Sequence, residues 1–162
     1  MDEVVVSDAN ILINLCFANR LDLLGQIPGV EFIIAPEIER EMRRGRGRRF
    51  AAEFSRLVNQ GILRAEDATG PRAVEVYVLC RETYRLDEGE SGGLALAASR
   101  EYLFATTDAR AFEAGVSELG ESRVVHLEDI LELALARGVL TGQTIVAMRQ
   151  LMSERNGYHG WG

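Results

Sequence analysis

Four short apolar runs decide most of what this chain is able to fold into. Val4-Val5-Val6 stops at Ser7-Asp8, residues 31–35 (EFIIA) stop at Pro36, and residues 102–108 (YLFATTD) close on a second aspartate. Val124-Val125-His126 is the fourth run. Each is too short for a helix and bounded by turn-forming or polar residues, so each reads as a strand covered on both faces. The intervening stretches carry a helical period instead. Ile11, Leu12 and Leu15, with Leu21, Leu23 and Leu24 beyond, predict one or two helices between Ala9 and about Ile27. Pro36 opens a helix bearing Glu37, Ile38, Glu41 and Met42, and Phe50, Phe54, Leu57 and Val58 recur at helical spacing until Gly61. Ile62-Leu63 leads into a polar turn, and Pro71 starts a helix with Val74, Val78 and Leu79 on one face. A small-residue helix, SGGLALAAS, follows Asp87-Glu88-Gly89-Glu90, and its glycines and alanines suit close packing. Two more helices are expected near 127–137 and 141–154.

Strands that alternate with helices form a parallel sheet with right-handed crossovers. The expected fold class is therefore α/β: a helix-rich three-layer α/β/α sandwich around a mainly parallel central sheet. It should occupy residues 1–155 as a single domain, with 156–162 (NGYHGWG) as a flexible tail. No internal repeat or linker divides the chain. A domain of 162 residues buries roughly 70% of its unfolded surface, enough for a core without cross-links. Accordingly, Cys16 and Cys80, each in an apolar stretch, read as reduced core thiols, and two thiols supply no zinc spacing. The acidic N-terminus has too short an apolar run for a signal peptide, and no stretch has the length of a membrane span, so a cytoplasmic protein with no membrane contact is expected.

Ligands of open parallel sheets bind beyond the carboxyl ends of the strands. Asp8 and Asp108 both stand there. Glu37 and Glu41, four apart on one helix face, and Asp87, Glu88 and Glu90, at the opening of another helix, are acidic candidates to join them. Taken singly, each acid is explained as a helix cap or dipole partner, and Glu37 and Glu39 as solvated positions. Together, carboxylates converging on one edge repel one another unless a cation compensates. Hard oxygen donors without histidine suit Mg²⁺ or Mn²⁺, which bind phosphate oxygens and activate water.

The ordered series VVVSDANILI, PEIEREM, LDEGESGGLALA and LFATTDARAF resembles the PIN-domain ribonucleases over most of the chain. The resemblance implies that Asp8, Glu41, Glu90 and Asp108 are the catalytic, metal-ligating acids, with Asp87 as an alternative third acid to Glu90. It gives Thr106 the threonine position of the family's T-x-D element, and Asn10 a supporting role beside Asp8. The C-terminal segment LEDILELALARGVLTGQTIVAMRQL resembles the helical hairpin of single-domain relatives of VapC-type toxins from toxin–antitoxin pairs. The implied activity is Mg²⁺- or Mn²⁺-dependent endonucleolytic cleavage of RNA, leaving a 5′-phosphate and a 3′-hydroxyl. A homodimer and an antitoxin protein as partner are implied as well.

The chain has 25 acidic residues against 18 basic ones, all of them arginine, for a net charge of −7, which argues against a protein that coats nucleic acid. Arg43, Arg44, Arg46, Arg48 and Arg49 nevertheless crowd into seven residues just after Glu41. Guanidinium groups fork onto phosphate oxygens, so this glycine-spaced, supple segment is a candidate RNA contact. A solvated connector and a contact for an acidic partner are the other readings. Two functional alternatives stay open beside the nuclease: an inactive PIN-like module that binds RNA or protein, and a phosphohydrolase acting on small esters. His126 and His159 receive no catalytic role.

Overall fold

The computed structural model describes residues 3–161. Five strands form one sheet: β1 (Glu3–Ser7), β2 (Val30–Ile34), β3 (Leu63–Ala65), β4 (Leu103–Ala105) and β5 (Val124–Val125). Their order is β3-β2-β1-β4-β5 and every pairing is parallel. The helices are α1 (Ala9–Phe17), α2 (Pro36–Arg44), α3 (Ala51–Asn59), α4 (Pro71–Glu82), α5 (Glu88–Arg100), α6 (Ala109–Leu119), α7 (Leu127–Ala136) and α8 (Gly142–Asn156). The result is the helix-rich α/β sandwich expected of alternating strands and helices.

The chain builds outward from β1 to β3, then returns across the sheet to lay β4 on the other side of β1. The strand order therefore reverses between β1 and β4, and a crevice opens there at their carboxyl ends. Register fixes what lines it: Ser7 pairs with Ala105, so the residues that follow, Asp8 and Thr106, stand opposite each other.

Two details differ from the sequence expectations and a third resolves one left open. The sheet gains β3, where the sequence suggests only a turn after Leu63. This edge strand has three residues, of which Leu63 alone is buried, so no apolar period marks it. The one or two helices expected between Ala9 and Ile27 are one α-helix followed by a 3₁₀ turn, Leu21–Gly25. The arginine–glycine segment is also not a supple connector. α2 runs through Arg44, and a 3₁₀ turn, Arg48–Phe50, leads directly into α3.

Gly47 serves close packing inside that segment. A Cβ there would sit 2.5 Å from Met42 Sδ and 3.0 Å from Met42 Cα, and Met42 is fully buried. Gly47→Ala is expected to lower stability by about 1–3 kcal/mol, the usual range for overpacking. Urea denaturation checks this, and an unchanged midpoint would show that the segment is free to shift.

Both thiols are buried and unpaired. Burial pushes Cys16 and Cys80 up to about 12, which keeps them protonated and inert.

Among the described residues no helix is long and apolar enough to cross a membrane. Of the segment expected as a tail, residues 156–161 are described, and they pack against the domain. Asn156 ends α8, Tyr158 is buried with its hydroxyl donating to Glu128, and Trp161 stacks on His126 at 4.2 Å between ring centroids.

Candidate active site

Asp8 owes its position to two roles at once. It ends the β1 crossover and caps α1, with Oδ1 accepting from the Ile11 N–H at 3.0 Å. Its other oxygen accepts from the Thr106 hydroxyl on the neighbouring strand end. Thr106 in turn accepts the Asp108 N–H at 3.1 Å, and Asp108 caps α6 through the Ala111 N–H at 2.9 Å. One threonine thus links the two aspartates across the crevice. The carboxyl of Asp8 is 1% exposed. Burial raises its pKa to about 6 and the Asp108 charge adds to the effect, against the opposing pull of the Thr106 and Ile11 hydrogen bonds and of the Arg46 charge.

The first turn of α5 faces this pair. Asp87 caps the helix by accepting the Glu90 N–H at 2.8 Å, and Glu90 Oε1 accepts the Asp87 N–H at 3.3 Å, which completes a capping box. The cap leaves Glu90 Oε2 buried and without a hydrogen-bond partner among the described residues. Burial, followed by the charges of Asp87, Asp108 and Asp8, pushes Glu90 up to about 8. A buried carboxylate oxygen with no donor is costly, and it marks a place made for a cation or a proton.

Glu41 approaches from α2. One oxygen pairs with Arg46 Nη2 at 2.8 Å. The other lies 3.3 Å from where a side chain on Gly89 would begin, with Asp87 Oδ1 3.6 Å from the same point. Gly89 therefore lets α2 bring Glu41 against the acidic turn. Arg46 also donates from Nη1 to Asn10 Oδ1 at 3.1 Å, so its fork spans Asn10 and Glu41 over the crevice.

All seven acidic and supporting residues expected from the sequence, Asp8, Asn10, Glu41, Asp87, Glu90, Thr106 and Asp108, thus stand around one sheet edge. The arginines are split among different tasks. Only Arg46 enters the acidic cluster. Arg43 donates to Ser55 at 2.8 Å and lies over Phe54, Arg49 lies over Phe17 and Phe50, and Arg48 reaches the Gly45 carbonyl at 3.4 Å; Arg44 is exposed. Glu37 is partly buried rather than solvated. Its carboxylate lies 2.2 Å from where a Gly92 Cβ would be, so it covers the bare backbone of α5. His126 is spent on structure, its Nδ1 accepting the Glu128 N–H at 3.1 Å at the start of α7.

The donor set fits a hard divalent cation by chemistry: all-oxygen carboxylates, a buried oxygen with no donor, and two pKa values raised by burial and, after it, by neighbouring acids. Geometry is the qualification. Among the described residues no three His, Cys, Asp or Glu side chains are arranged to hold a metal ion as they stand. Glu41 is paired with Arg46, so a cation bound here would have to compete with that guanidinium for its carboxylate.

A parallel sheet whose switch point carries aspartates from adjacent strands, with further acids from two flanking helices, defines an α/β protein with an acidic cluster at that point. The chain belongs to the PIN-domain family: residues 4–155 match the family DUF3368, described as a PIN domain. PIN domains have a nuclease-type fold and typically use divalent metals. The crystal structure of PAE2754 from Pyrobaculum aerophilum is similar at a TM-score of 0.48 and 18% identity, covering 83% of this chain and 98% of that one. No curated protein matches the sequence.

Proposed function

We propose that this PIN domain is a metal-dependent endoribonuclease that hydrolyses RNA phosphodiester bonds at the β1–β4 crevice. The observation that carries the reading is Glu90 Oε2, buried and without a donor in a crevice where burial and neighbouring acids also lift Asp8 to about 6. Asp8, Glu41, Glu90 and Asp108 would hold Mg²⁺ or Mn²⁺. When bound, the ion offsets the charge on the phosphate oxygens and lowers the pKa of water. Thr106 fixes the rotamer of Asp8, and Asn10 aligns Arg46. Arg46 offers a fork to the RNA phosphate once it leaves Glu41. Attack of water on phosphorus breaks the bond to the 3′ oxygen, leaving a 3′-hydroxyl and a 5′-phosphate. Glu90 is the better third acid than Asp87: each gives one oxygen to the capping box, but only Glu90 keeps a second oxygen buried without a partner among the described residues.

The test is cleavage of end-labelled single-stranded RNA by the purified protein with Mn²⁺. Cutting that stops with chelator and returns with added metal is the expected result, and intact RNA at millimolar Mn²⁺ would overturn the reading. A second reading, a non-catalytic module that binds RNA or protein, is favoured by the Glu41–Arg46 pair at 2.8 Å, in which one of the four acids is neutralised by a cation of the protein's own. Calorimetry separates the two, since that reading expects no heat of Mn²⁺ binding. Membership of a toxin–antitoxin pair, with a homodimer and an antitoxin that covers or occupies the site, belongs to the same proposal through the resemblance to VapC-type toxins.

A further inference from the structure

We propose that the cleft between α1 and the C-terminal segment is a subsite for one RNA base, next to the phosphate held at the carboxylates. The inference rests on the nuclease reading and adds what that site recognises. The cleft measures about 270 Å³ and is walled by Asn10 and Asn14 of α1, Thr107, and Asn156, Tyr158 and His159 of the C-terminal segment. Two of these residues tie it to the acids. Asn10 lies two positions beyond Asp8, and Thr107 immediately precedes Asp108.

The wall chemistry selects the ligand. It contains no carboxylate and no guanidinium, so neither a metal nor a phosphate has a charged partner there. Amides, a hydroxyl and an imidazole remain, the groups that pair with base edges and stack on base faces. Size selects further: at about 270 Å³ the cleft falls just below the range for drug-sized ligands, so it suits a single base and not a stretch of strand.

The wall is also held in place. Asn156 Nδ2 donates to Asn14 Oδ1 at 3.1 Å, and Asn14 Nδ2 donates to the Asn10 carbonyl at 3.0 Å, so the amides are fixed in a relay. Beyond them, Tyr158 donates to Glu128, which Arg149 also grips through Nε at 2.9 Å. Trp161 closes the segment by stacking on His126 with 25° between ring planes and meeting Phe112 edge-on. The segment is clamped on both sides of His159, whose ring stays exposed at the cleft. A base entering there meets a preformed wall.

The experiment measures binding of short single-stranded RNAs to the full chain as the Asp8→Asn variant, which holds RNA without cutting it. Each RNA is compared with a copy carrying one abasic site, moved along the strand. At one position the abasic site is expected to weaken binding about fivefold, the low end of what a stacked base contributes. His159→Ala in the same background should remove that difference, and Asn156→Ala should flatten the preference among the four bases. His159 is exposed, so its loss leaves the fold intact, as melting will show. Equal binding at every abasic position, or an unchanged pattern in His159→Ala, overturns the subsite. A wild-type protein that cuts RNA while these variants keep its base preference refutes the subsite alone, whereas wild-type protein that neither binds nor cuts RNA refutes both readings.

Discussion

Asp8→Asn will end RNA cleavage and, in metal-free solution at neutral pH, make the protein more stable. Loss of a partner behind a metal ligand costs about 10–100-fold in activity, so loss of a ligand itself should cost on the order of a thousandfold or more. Folding should survive because asparagine has the same shape. Its Oδ1 still accepts the Ile11 N–H that Asp8 accepts at 3.0 Å, and the Thr106 hydroxyl turns to receive the new amide. The gain in stability comes from the charge. Asp8 has a folded pKa of about 6 against 3.8 ordinarily, so the folded state binds the proton more tightly than the unfolded chain. That preference contributes fully below about pH 4 and is lost as pH rises through 6, a change of roughly 3 kcal/mol for a group with no solvent screening. Glu90, raised from 4.5 to about 8, acts in the same sense over a window reaching higher. Chelated wild-type protein should therefore melt at a lower temperature at pH 8 than at pH 5, with a weaker trend in Asp8→Asn. Added Mn²⁺ should restore the wild type alone. Retained cleavage, or an Asp8→Asn variant that melts well below wild type at pH 8, would remove Asp8 from the proposed role.

Asp8, Asp108 and Glu90 are legible in the sequence because each is tied to a strand end or a helix start. Asp8 and Asp108 follow apolar runs and cap helices, so their strand ends and caps predict one shared edge. Glu41 and Glu90 come from the family pattern, since periodicity alone leaves Glu37, Asp87 and Glu88 equally eligible. The remainder depends on pairings distant in sequence. The bond from Asn156 to Asn14 joins residues 142 apart, and that from Tyr158 to Glu128 joins residues 30 apart. A glycine-rich ending with isolated aromatics reads as a tail until those partners are known. The arginine cluster misleads in the opposite way. Its composition suggests a single basic patch, but Phe17, Phe50, Phe54 and Ser55 draw Arg43 and Arg49 into packing. Local charge density does not say which guanidinium reaches the acids. The geometry of the α2 terminus does, and it delivers Arg46.

Phe104→Ala should be the most damaging core substitution for both stability and the site. Phe104 is fully buried at the middle of β4, paired with Val6 of β1 and Val124 of β5. Its ring lies between two helices at points where neither has a side chain. A Cβ on Gly93 of α5 would be 3.1 Å from the ring, and one on Gly115 of α6 would be 3.5 Å from it. Deleting a buried phenyl group costs about 3–5 kcal/mol, and the cost is highest where the surroundings fail to collapse. Here α5 is anchored by its capping box and α6 by the Asp108 cap, so the cavity should persist and the upper half of that range is expected. Cleavage should suffer too, because β4 carries Thr106 and Asp108 just beyond the cavity. Urea denaturation measures the loss, and a double-mutant cycle identifies its cause. Gly93→Ala alone presses its methyl group on the ring and should destabilise. In the Phe104→Ala background the same methyl group enters the cavity, so the double variant should be more stable than the sum of the single effects predicts. Strict additivity would mean that Phe104 and Gly93 do not pack as a pair, and that the glycines of α5 serve something other than its approach to the sheet.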